Sequence, residues 1–413
     1  TYVAYLFADN SSEDADDQMI ECGSFVFGPT SNPAQRKLTL SWEPQFLLVK
    51  RTDGTGDWIL MDTMRGLVTE PSNGVRLRVN SNSAEDSGNL KFRSQTELKM
   101  NLPAHGTYLY MAVRSSMMQE PESATDVLAI STYGGSAANT AEVRHYSGFP
   151  VDMFINRDAL DTSSENNSLA LRQTHCSSDF LTSAADFLYL NSTAAAGSNS
   201  SDWFNSNKGI EPNQGSVSAN ANSMRWMFKR AKGYMDAVCY SGSGANKTLS
   251  HSLGVVPEMI WIKHRNGADN WVVGHKEFNW LGPIYLNEAY QYIGNNIAWW
   301  NNTAPTATEF TIGYSAAPNT SGGTYIAYLF ATLAGISKVG SFVGNGSSQT
   351  ISCGFSSGSR FILIRRTDAN GDWYVWDSVR GIVAGNDPYL LLNGTAAQVT
   401  NDDSVDPHNS GFI

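Results

Sequence analysis

The sequence is poor in charged residues, and this excludes one class of partner before any motif is considered. Only 16% of its 413 residues are Asp, Glu, Lys or Arg. The 28 Lys and Arg are outnumbered by 39 Asp and Glu, which gives a net charge of -11. A chain with this balance lacks the electrostatic attraction to phosphate on which nucleic-acid binding depends. We therefore expect no nucleic acid among its partners.

Long apolar runs and the common catalytic signatures are also missing. No stretch approaches the about 18 uninterrupted apolar residues that indicate a membrane-spanning helix, so we expect no membrane insertion. No Gly-x-Ser-x-Gly, Walker or His-Glu-x-x-His motif occurs. The four cysteines have no zinc-ligand spacing, and we expect them to be thiols: Cys22, Cys176, Cys239 and Cys353. We expect a protein that is not an enzyme and that needs no cofactor.

What the sequence does contain is an internal repeat of about 105 residues. Each repeat has an apolar run that ends in basic residues, and a later apolar run that ends in asparagine. The first runs begin at Pro44, Pro150, Pro257 and Ser359, and the asparagines are Asn80, Asn191, Asn287 and Asn393. Short runs of β-branched and aromatic residues between turn formers indicate strands. We predict an all-β fold of tandem, jelly-roll-like β-sandwich modules in an elongated arrangement.

The repeat divides the chain into four modules that follow a single strand. Residues 1–9 form the closing strand of a preceding module, and the modules span 10–115, 116–232, 233–331 and 332–413. The second module is degenerate, and the fourth lacks the closing strand that TYIAYLFA provides at 324–331. The chain opens with the nearly identical TYVAYLFA. We expect the fourth module to be completed by further residues of a longer polypeptide or by the first strand of a neighbouring chain.

The phrase Arg-Thr-Asp-x-x-Gly-Asp-Trp occurs at 51–58 and again at 366–373. We expect it to form a hairpin loop in which Asp, Asn and Gly residues adopt positive φ, and in which Trp58 and Trp373 begin the return strands. A structural hairpin needs one copy of its turn in each module, which explains the recurrence.

Two further features of the fourth module concern its carboxylates. Asp368, Asn370 and Asp372 place oxygens at alternate positions of a loop, which makes a calcium site an alternative to the plain hairpin. Asp377 lies three residues before Arg380, and this spacing predicts an ion pair that fixes the turn after the strand, as does the spacing of Asp62 and Arg65 in the first module.

The best candidate for a ligand site lies at residues 285–302 of the third module, where aromatic and amide side chains alternate. Aromatic rings can cover the apolar face of a sugar, while amides can bind its hydroxyl groups. We predict a glycan-binding site formed by Tyr290, Tyr292, Asn295, Asn296, Trp299 and Trp300. The alternative is that these aromatic residues belong to the core, where tryptophan is commonly found.

Four stretches of the sequence together resemble the tandem β-sandwich module of tail-fibre and other virion surface proteins of tailed phages, especially marine ones. They are TYIAYLFA at 324–331, GSFVGNGS at 340–347, FILIRRTDANGDWYVWDSVRG at 361–381 and YLLLNGTAA at 389–397. The resemblance implies a virion structural or attachment protein, located outside the cell. Its implied partners are other virion proteins and a host glycan or receptor, and we expect it to be a homo-oligomer.

The sequence is also compatible with three other functions. An extracellular lectin-like adhesin or a self-assembling filament subunit would use the same modules. A polysaccharide-degrading tailspike would need an uninterrupted β-helix or a pair of carboxylates in one groove, and a period of about 105 residues indicates neither.

Overall fold

The structure is a computed structural model that describes most of the chain. The described residues are 6–9, 18–29, 37–42, 44–62, 68–69, 75–87, 91–92, 97–114, 118–133, 145–160, 168–171, 185–199, 202–206, 209–212 and 223–413. In these residues the only helices are α1 (Ile297–Trp300), α2 (Ala316–Asn319) and two 3-10 turns, Ala124–Asp126 and Lys276–Phe278. The fold is therefore all-β and sandwich-like, which confirms the prediction. None of the helices in these ranges is long and apolar enough to cross a bilayer.

The chain separates into two compact units, which we describe one at a time. Unit 1 holds residues 1–117 with 173–183, and unit 2 holds 118–172 with 184–413. Cys22 in unit 1 and Cys353 in unit 2 are half-buried free thiols, as expected. Cys239 is disulfide-bonded, so the expectation of a thiol is wrong at that position.

Unit 1 contains repeat 1, in which two sheets enclose one core. Its strands are β1 (Ile20–Phe27), β2 (Lys37–Thr39), β3 (Pro44–Arg51), β4 (Trp58–Asp62), β5 (Val68–Thr69), β6 (Val75–Arg78), β7 (Asp86–Ser87), β8 (Lys91–Phe92), β9 (Glu97–Lys99) and β10 (Gly106–Arg114). The main sheet has the order β1-β10-β3-β4-β6-β7, and the smaller sheet has the order β2-β9-β8-β5. Leu47 and Met61 of the main sheet share one core with Leu98 of the smaller sheet and with Met100, which follows it. Burial of this apolar surface is the main stabilising contribution.

Unit 2 begins with repeat 2, whose sheets follow the same plan. Its strands are β11 (Leu128–Tyr133), β12 (His145–Tyr146), β13 (Met153–Asp158), β14 (Ser168–Leu171), β15 (Ala185–Tyr189), β16 (Gly197–Asn199), β17 (Asp202–Ser206), β18 (Gly209–Pro212) and β19 (Ser223–Phe228). The main sheet has the order β11-β19-β13-β14-β15-β16, and the smaller sheet has the order β12-β18-β17.

Repeats 3 and 4 complete unit 2. The strands of repeat 3 are β20 (Met235–Ser241), β21 (Lys247–Ser250), β22 (Met259–His264), β23 (Val272–His275), β24 (Ile284–Tyr285), β25 (Glu309–Ile312) and β26 (Thr324–Phe330). Those of repeat 4 are β27 (Ile351–Ser352), β28 (Phe361–Arg365), β29 (Trp373–Asp377), β30 (Tyr389–Leu391), β31 (Pro407–His408) and β32 (Gly411–Phe412). Repeat 3 has sheets β20-β26-β22-β23-β24 and β21-β25, whereas repeat 4 has β28-β29-β30 and β27-β32-β31.

The last strand of repeats 1, 2 and 3 lies inside its sheet, between the first strand and the strand that precedes the hairpin. Tyr108 of β10 pairs with Arg51, and Tyr325 of β26 pairs with His264 at the equivalent position. A strand with neighbours on both sides and layers above and below must be apolar on both faces. The residues of β26 from 325 to 329 are all buried, which fits that requirement.

Repeats 2, 3 and 4 are joined by one backbone contact that occurs three times. In each case the donor is the N–H of the residue five positions after the repeat asparagine. The acceptor is a carbonyl of another repeat, and it belongs to the residue two positions after the basic residue that ends the apolar run. These bonds are Ala196 to Arg265 at 2.6 Å, Tyr292 to Thr367 at 3.2 Å and Gln398 to Ala159 at 2.7 Å. Repeat 3 thus docks on repeat 2, repeat 4 docks on repeat 3, and repeat 2 docks on repeat 4.

The basic residues themselves make the same three connections. Lys263 Nζ of repeat 3 donates a 2.7 Å bond to the carbonyl of Thr193 in repeat 2. Arg365 of repeat 4 donates to the carbonyl of Tyr290 in repeat 3, and Arg157 of repeat 2 donates to that of Ala396 in repeat 4. The three repeats form a closed ring. They differ from the in-line arrangement expected from the sequence, because each of them contacts the other two.

Candidate functional site

A side-chain amide closes the hairpin in repeat 4 and in repeat 1. Asn393 Oδ1 accepts a 2.9 Å bond from the N–H of Trp373, and Asn393 Nδ2 donates a 2.9 Å bond to Asp372 Oδ1. Asn80 makes the same two bonds in repeat 1, at 2.9 and 3.0 Å, to Trp58 and Asp57. We call this arrangement the asparagine clasp. It holds the first residue of the return strand next to the asparagine that follows the neighbouring strand.

Repeat 3 has the same clasp although it lacks the repeated phrase. Asn287 Oδ1 accepts a 2.8 Å bond from the N–H of Trp271, and Asn287 Nδ2 donates a 2.8 Å bond to Asn270 Oδ1. The position before the tryptophan therefore needs only a side-chain oxygen, which Asp or Asn can supply equally. The recurrence of these residues has a structural explanation in each of the three repeats.

The hairpins form where the sequence predicts them, but the backbone of their loops differs from the prediction. Trp58 and Trp373 begin β4 and β29, as expected. None of the loop residues at 53–56 or 368–371 has a positive φ, so that part of the prediction is wrong. A Cβ at position 54 would lie 2.7 Å from Cζ of Arg51, so the guanidinium would have to move to accommodate any other residue there. Side chains folded over the loop replace the tight turn that the prediction assumed.

A second oxygen in the loop holds the start of the closing strand. Asp53 forms a 2.7 Å ion pair with Arg51, and it accepts a 2.9 Å bond from the N–H of Thr107. The Arg51 bond, followed by the Thr107 bond, lowers the pKa of Asp53. In repeat 3, Asn266 Oδ1 accepts a 2.8 Å bond from the N–H of Thr324 in the same way. The loop thus sets the register of the closing strand.

The three oxygen-bearing residues of the alternative calcium site have separate protein partners. Asp368 pairs with Arg366 at 2.7 Å, and this bond lowers its pKa. Asn370 Oδ1 accepts a 3.0 Å bond from the N–H of Gln291, while Asp372 belongs to the asparagine clasp. No group of three or more His, Cys, Asp or Glu suited to a metal ion occurs within the ranges that the structure describes. The arrangement of these residues fits the plain hairpin.

The predicted pair of Asp377 and Arg380 is present and buried. Arg380 Nε lies 2.6 Å from Asp377 Oδ2, and the two side chains are 5% and 0% exposed. Asp377 Oδ1 also accepts bonds from the N–H groups of Val379 and Arg380, which fixes the turn. Trp226 of repeat 2 donates a 3.2 Å bond to Asp377 Oδ2, so the pair also joins two repeats. Arg65, in the corresponding pair of repeat 1, lies outside the described residues.

The six predicted glycan-binding residues are divided between the surface and the core. The Tyr290 ring is 58% exposed, whereas Trp300 is 1% exposed and packs in the core against Trp280, so Trp300 cannot contact a surface ligand as predicted. Trp299 is half-buried against Tyr285.

Of the remaining three residues, two have partners of their own. Tyr292 is half-buried and stacks on Phe278 with ring centroids 4.1 Å apart. Asn296 accepts the N–H of Ala298 as the cap of α1, and Asn295 is exposed with φ 53. The side chains left for a ligand are Tyr290, Tyr292 and Asn295.

The backbone around Tyr290 is anchored on repeat 4 by Arg365, a residue that the site prediction missed. Its guanidinium donates to the carbonyls of Tyr285 at 2.9 Å, Glu288 and Tyr290, and burial lowers its pKa to about 10. It remains charged near neutral pH. A basic residue that ends the apolar run in every repeat was the available signal, at Lys50, Arg157, Lys263 and Arg365.

Comparison with known proteins adds one match. Residues 215–413 match the model of a family described as a domain of unknown function (DUF7483). This stretch contains β19 together with all of repeats 3 and 4. No curated protein matches the chain, and neither does any solved structure.

Proposed function

We propose that the chain is a non-catalytic structural protein of a phage virion surface, such as a fibre or appendage, and that it takes part in host attachment. The observation that carries this proposal is the use of the repeated residues. The clasp asparagines close hairpins, and the basic residues of repeats 2, 3 and 4 bind carbonyls of other repeats. Residues that recur in order to join modules favour a building element over an enzyme, which needs one reactive site. The resemblance to virion surface modules supports the same class.

The attachment part of the proposal concerns the exposed loop around Tyr290. Arg365 holds the carbonyl of this residue, so the ring is presented on an anchored backbone. Asn295 is exposed in the same loop, and Tyr292 is partly accessible beside it. A fixed aromatic face next to amide groups suits the apolar and polar sides of a sugar. The proposed ligand is a glycan of the host surface, bound outside the cell.

The structural part is tested by locating the protein. We expect antibodies against the recombinant chain to label an appendage of purified virions in immunogold electron microscopy, and its peptides to appear in virion mass spectrometry. Absence from virions, with the protein found on a cell surface, would overturn the virion assignment in favour of a cellular adhesin.

The attachment part is tested separately on a glycan array. Tyr290→Ala should reduce binding at least tenfold, because it removes the exposed ring. Tyr146→Ala is the matched control, since Tyr146 is 62% exposed in repeat 2, and it should bind as the unmodified chain does. Equal binding by both variants would exclude the loop as the glycan site without affecting the structural proposal.

A further inference from the structure

The outer face of the main sheet is covered in the ring of unit 2 and uncovered in repeat 1. Trp271 and Trp373 are 0% and 5% exposed, whereas Trp58, at the same place in its hairpin, is 44% exposed. On the closing strand, Ile326 is 2% exposed and its equivalent Leu109 is 52% exposed. Large apolar groups gathered on one exposed face indicate an interaction site. In repeats 2, 3 and 4 that face is covered by other repeats of the same kind.

Repeat 1 also carries the polar groups that make the ring contacts. Lys263 binds two carbonyls, that of Asp269 in its own loop and that of Thr193 in the neighbouring repeat. Lys50 makes the first of these bonds, to the carbonyl of Gly56. In repeat 1 the residue equivalent to Thr193 is Asn82. The carbonyl of Asn82 in one copy of the chain is therefore a matching acceptor for Lys50 of another copy.

The tryptophan of the hairpin has an equally specific partner in the ring. Trp271 Nε1 donates a 2.8 Å bond to the carbonyl of Tyr189, and Trp373 Nε1 donates a 2.9 Å bond to that of Tyr285. Both acceptors lie two residues before the repeat asparagine. In repeat 1 the same position is Arg78, two residues before Asn80.

We propose that three copies of the chain associate through repeat 1 in the ring that repeats 2, 3 and 4 form within one chain. Trp58 of each copy donates to the carbonyl of Arg78 in the next copy, and Lys50 donates to that of Asn82. The contact is head-to-tail and closes after three members, as it does in unit 2. The occupant of the exposed face is therefore two further copies of repeat 1.

The mass of the full chain in solution tests this proposal. Light scattering should give about three times the 45.0 kDa of one chain. Trp58→Glu and Leu109→Glu change exposed positions and should each return the mass to that of one chain. Tyr146→Glu is the control on the surface of repeat 2 and should leave the trimer intact. A monomer or dimer of the unmodified chain, or a trimer unaffected by both variants, overturns the proposal.

The identity of the neighbouring groups is tested by cross-linking. A chain with Lys50→Cys and Asn82→Cys, in a background where Cys22 and Cys353 are Ser, should form covalent species up to three chains with a bis-maleimide cross-linker and none beyond. A cross-linker is needed because the extended Lys50 side chain spans a gap that is too wide for a direct disulfide. Products longer than three chains would show an open assembly, and their appearance contradicts the closed ring. Absence of any covalent product contradicts the assigned contact.

Discussion

The indole Nε1 of Trp271 donates a 2.8 Å hydrogen bond to the carbonyl oxygen of Tyr189, a residue 82 positions earlier in the chain. The bond joins repeat 3 to repeat 2, and an equivalent bond of Trp373 joins repeat 4 to repeat 3. The repeated tryptophan therefore acts between repeats in unit 2 as well as within its own hairpin. The stability of unit 2 should depend on this nitrogen as well as on the buried ring.

Trp271→Phe should destabilise unit 2 more than Trp300→Phe does. Both tryptophans are buried, and both substitutions remove a similar volume. Trp300 Nε1 has no hydrogen-bond partner, whereas replacing Trp271 removes the Nε1–H that donates to the carbonyl of Tyr189. We expect a difference in the free energy of unfolding of about 1 to 3 kcal/mol, the usual cost of an unsatisfied buried group. Urea denaturation of the two variants gives the comparison. Equal losses in the free energy of unfolding would show that the buried ring stabilises unit 2 and that the Nε1 hydrogen bond does not.

Asn393→Ala should destabilise repeat 4 through loss of the asparagine clasp. The change removes the acceptor of the Trp373 N–H and the donor to Asp372, and we expect a loss of about 1 to 3 kcal/mol. Asn386→Ala, at an exposed asparagine of the same repeat, should change the free energy by no more than about 0.5 kcal/mol. Thermal and urea unfolding measure both. An unchanged free energy of unfolding in Asn393→Ala would show that the asparagine clasp does not stabilise the repeat.

Arg380→Met and Arg366→Met should differ strongly although each removes an arginine from an ion pair. Asp377 is 0% exposed, so the loss of Arg380 leaves a buried carboxylate without its counter-ion, at a cost of about 3 to 5 kcal/mol. The Arg366 and Asp368 side chains are 63% and 76% exposed, so water screens their attraction and the loss of Arg366 should cost much less than the loss of Arg380. Denaturant titration of the two variants tests the contrast, which similar losses would contradict.

Unit 2 should lose stability in mild acid because of His145. Burial, followed by the positive charge of Arg225, lowers the pKa of this histidine to about 3. Between this value and the about 6.5 of an unfolded histidine, the unfolded state binds the extra proton, so stability falls as the pH falls. The slope from this group is about 1.4 kcal/mol per pH unit. His145→Gln should flatten the decline between pH 6 and pH 4, which urea denaturation of unit 2 at each pH measures.

The positions of the strands were accessible from the sequence because they are encoded locally. Apolar runs bounded by turn formers recur at a fixed spacing, and the asparagines that the repeat aligns have the same bonds in repeats 1, 3 and 4. The loop backbone was not accessible in the same way. Gly and Asn usually indicate positive φ, but the residues of this loop do not have it. Instead, the side chain of Arg51 lies over Gly54.

The ring was not predictable because its acceptors are backbone carbonyls, which every residue has. Arg157 and Lys263 could be recognised as recurring basic residues, but nothing in the letters around Ala396 or Thr193 marks them as partners. For the same reason Trp300 could not be separated from Tyr290. Both are aromatic residues in one loop, and only the packing around Trp280 places the first in the core.

The closed ring also constrains how such a chain can change in length by duplication. Each repeat in unit 2 uses one surface to dock and another to receive, and Gln398 with Ala159 closes the circle after three members. A gene that gained one repeat would produce a docking surface and a receiving surface with no counterpart in the same polypeptide. A gain of three would leave none uncovered, so repeat number in this architecture is expected to grow in threes unless other copies of the chain cover the remainder.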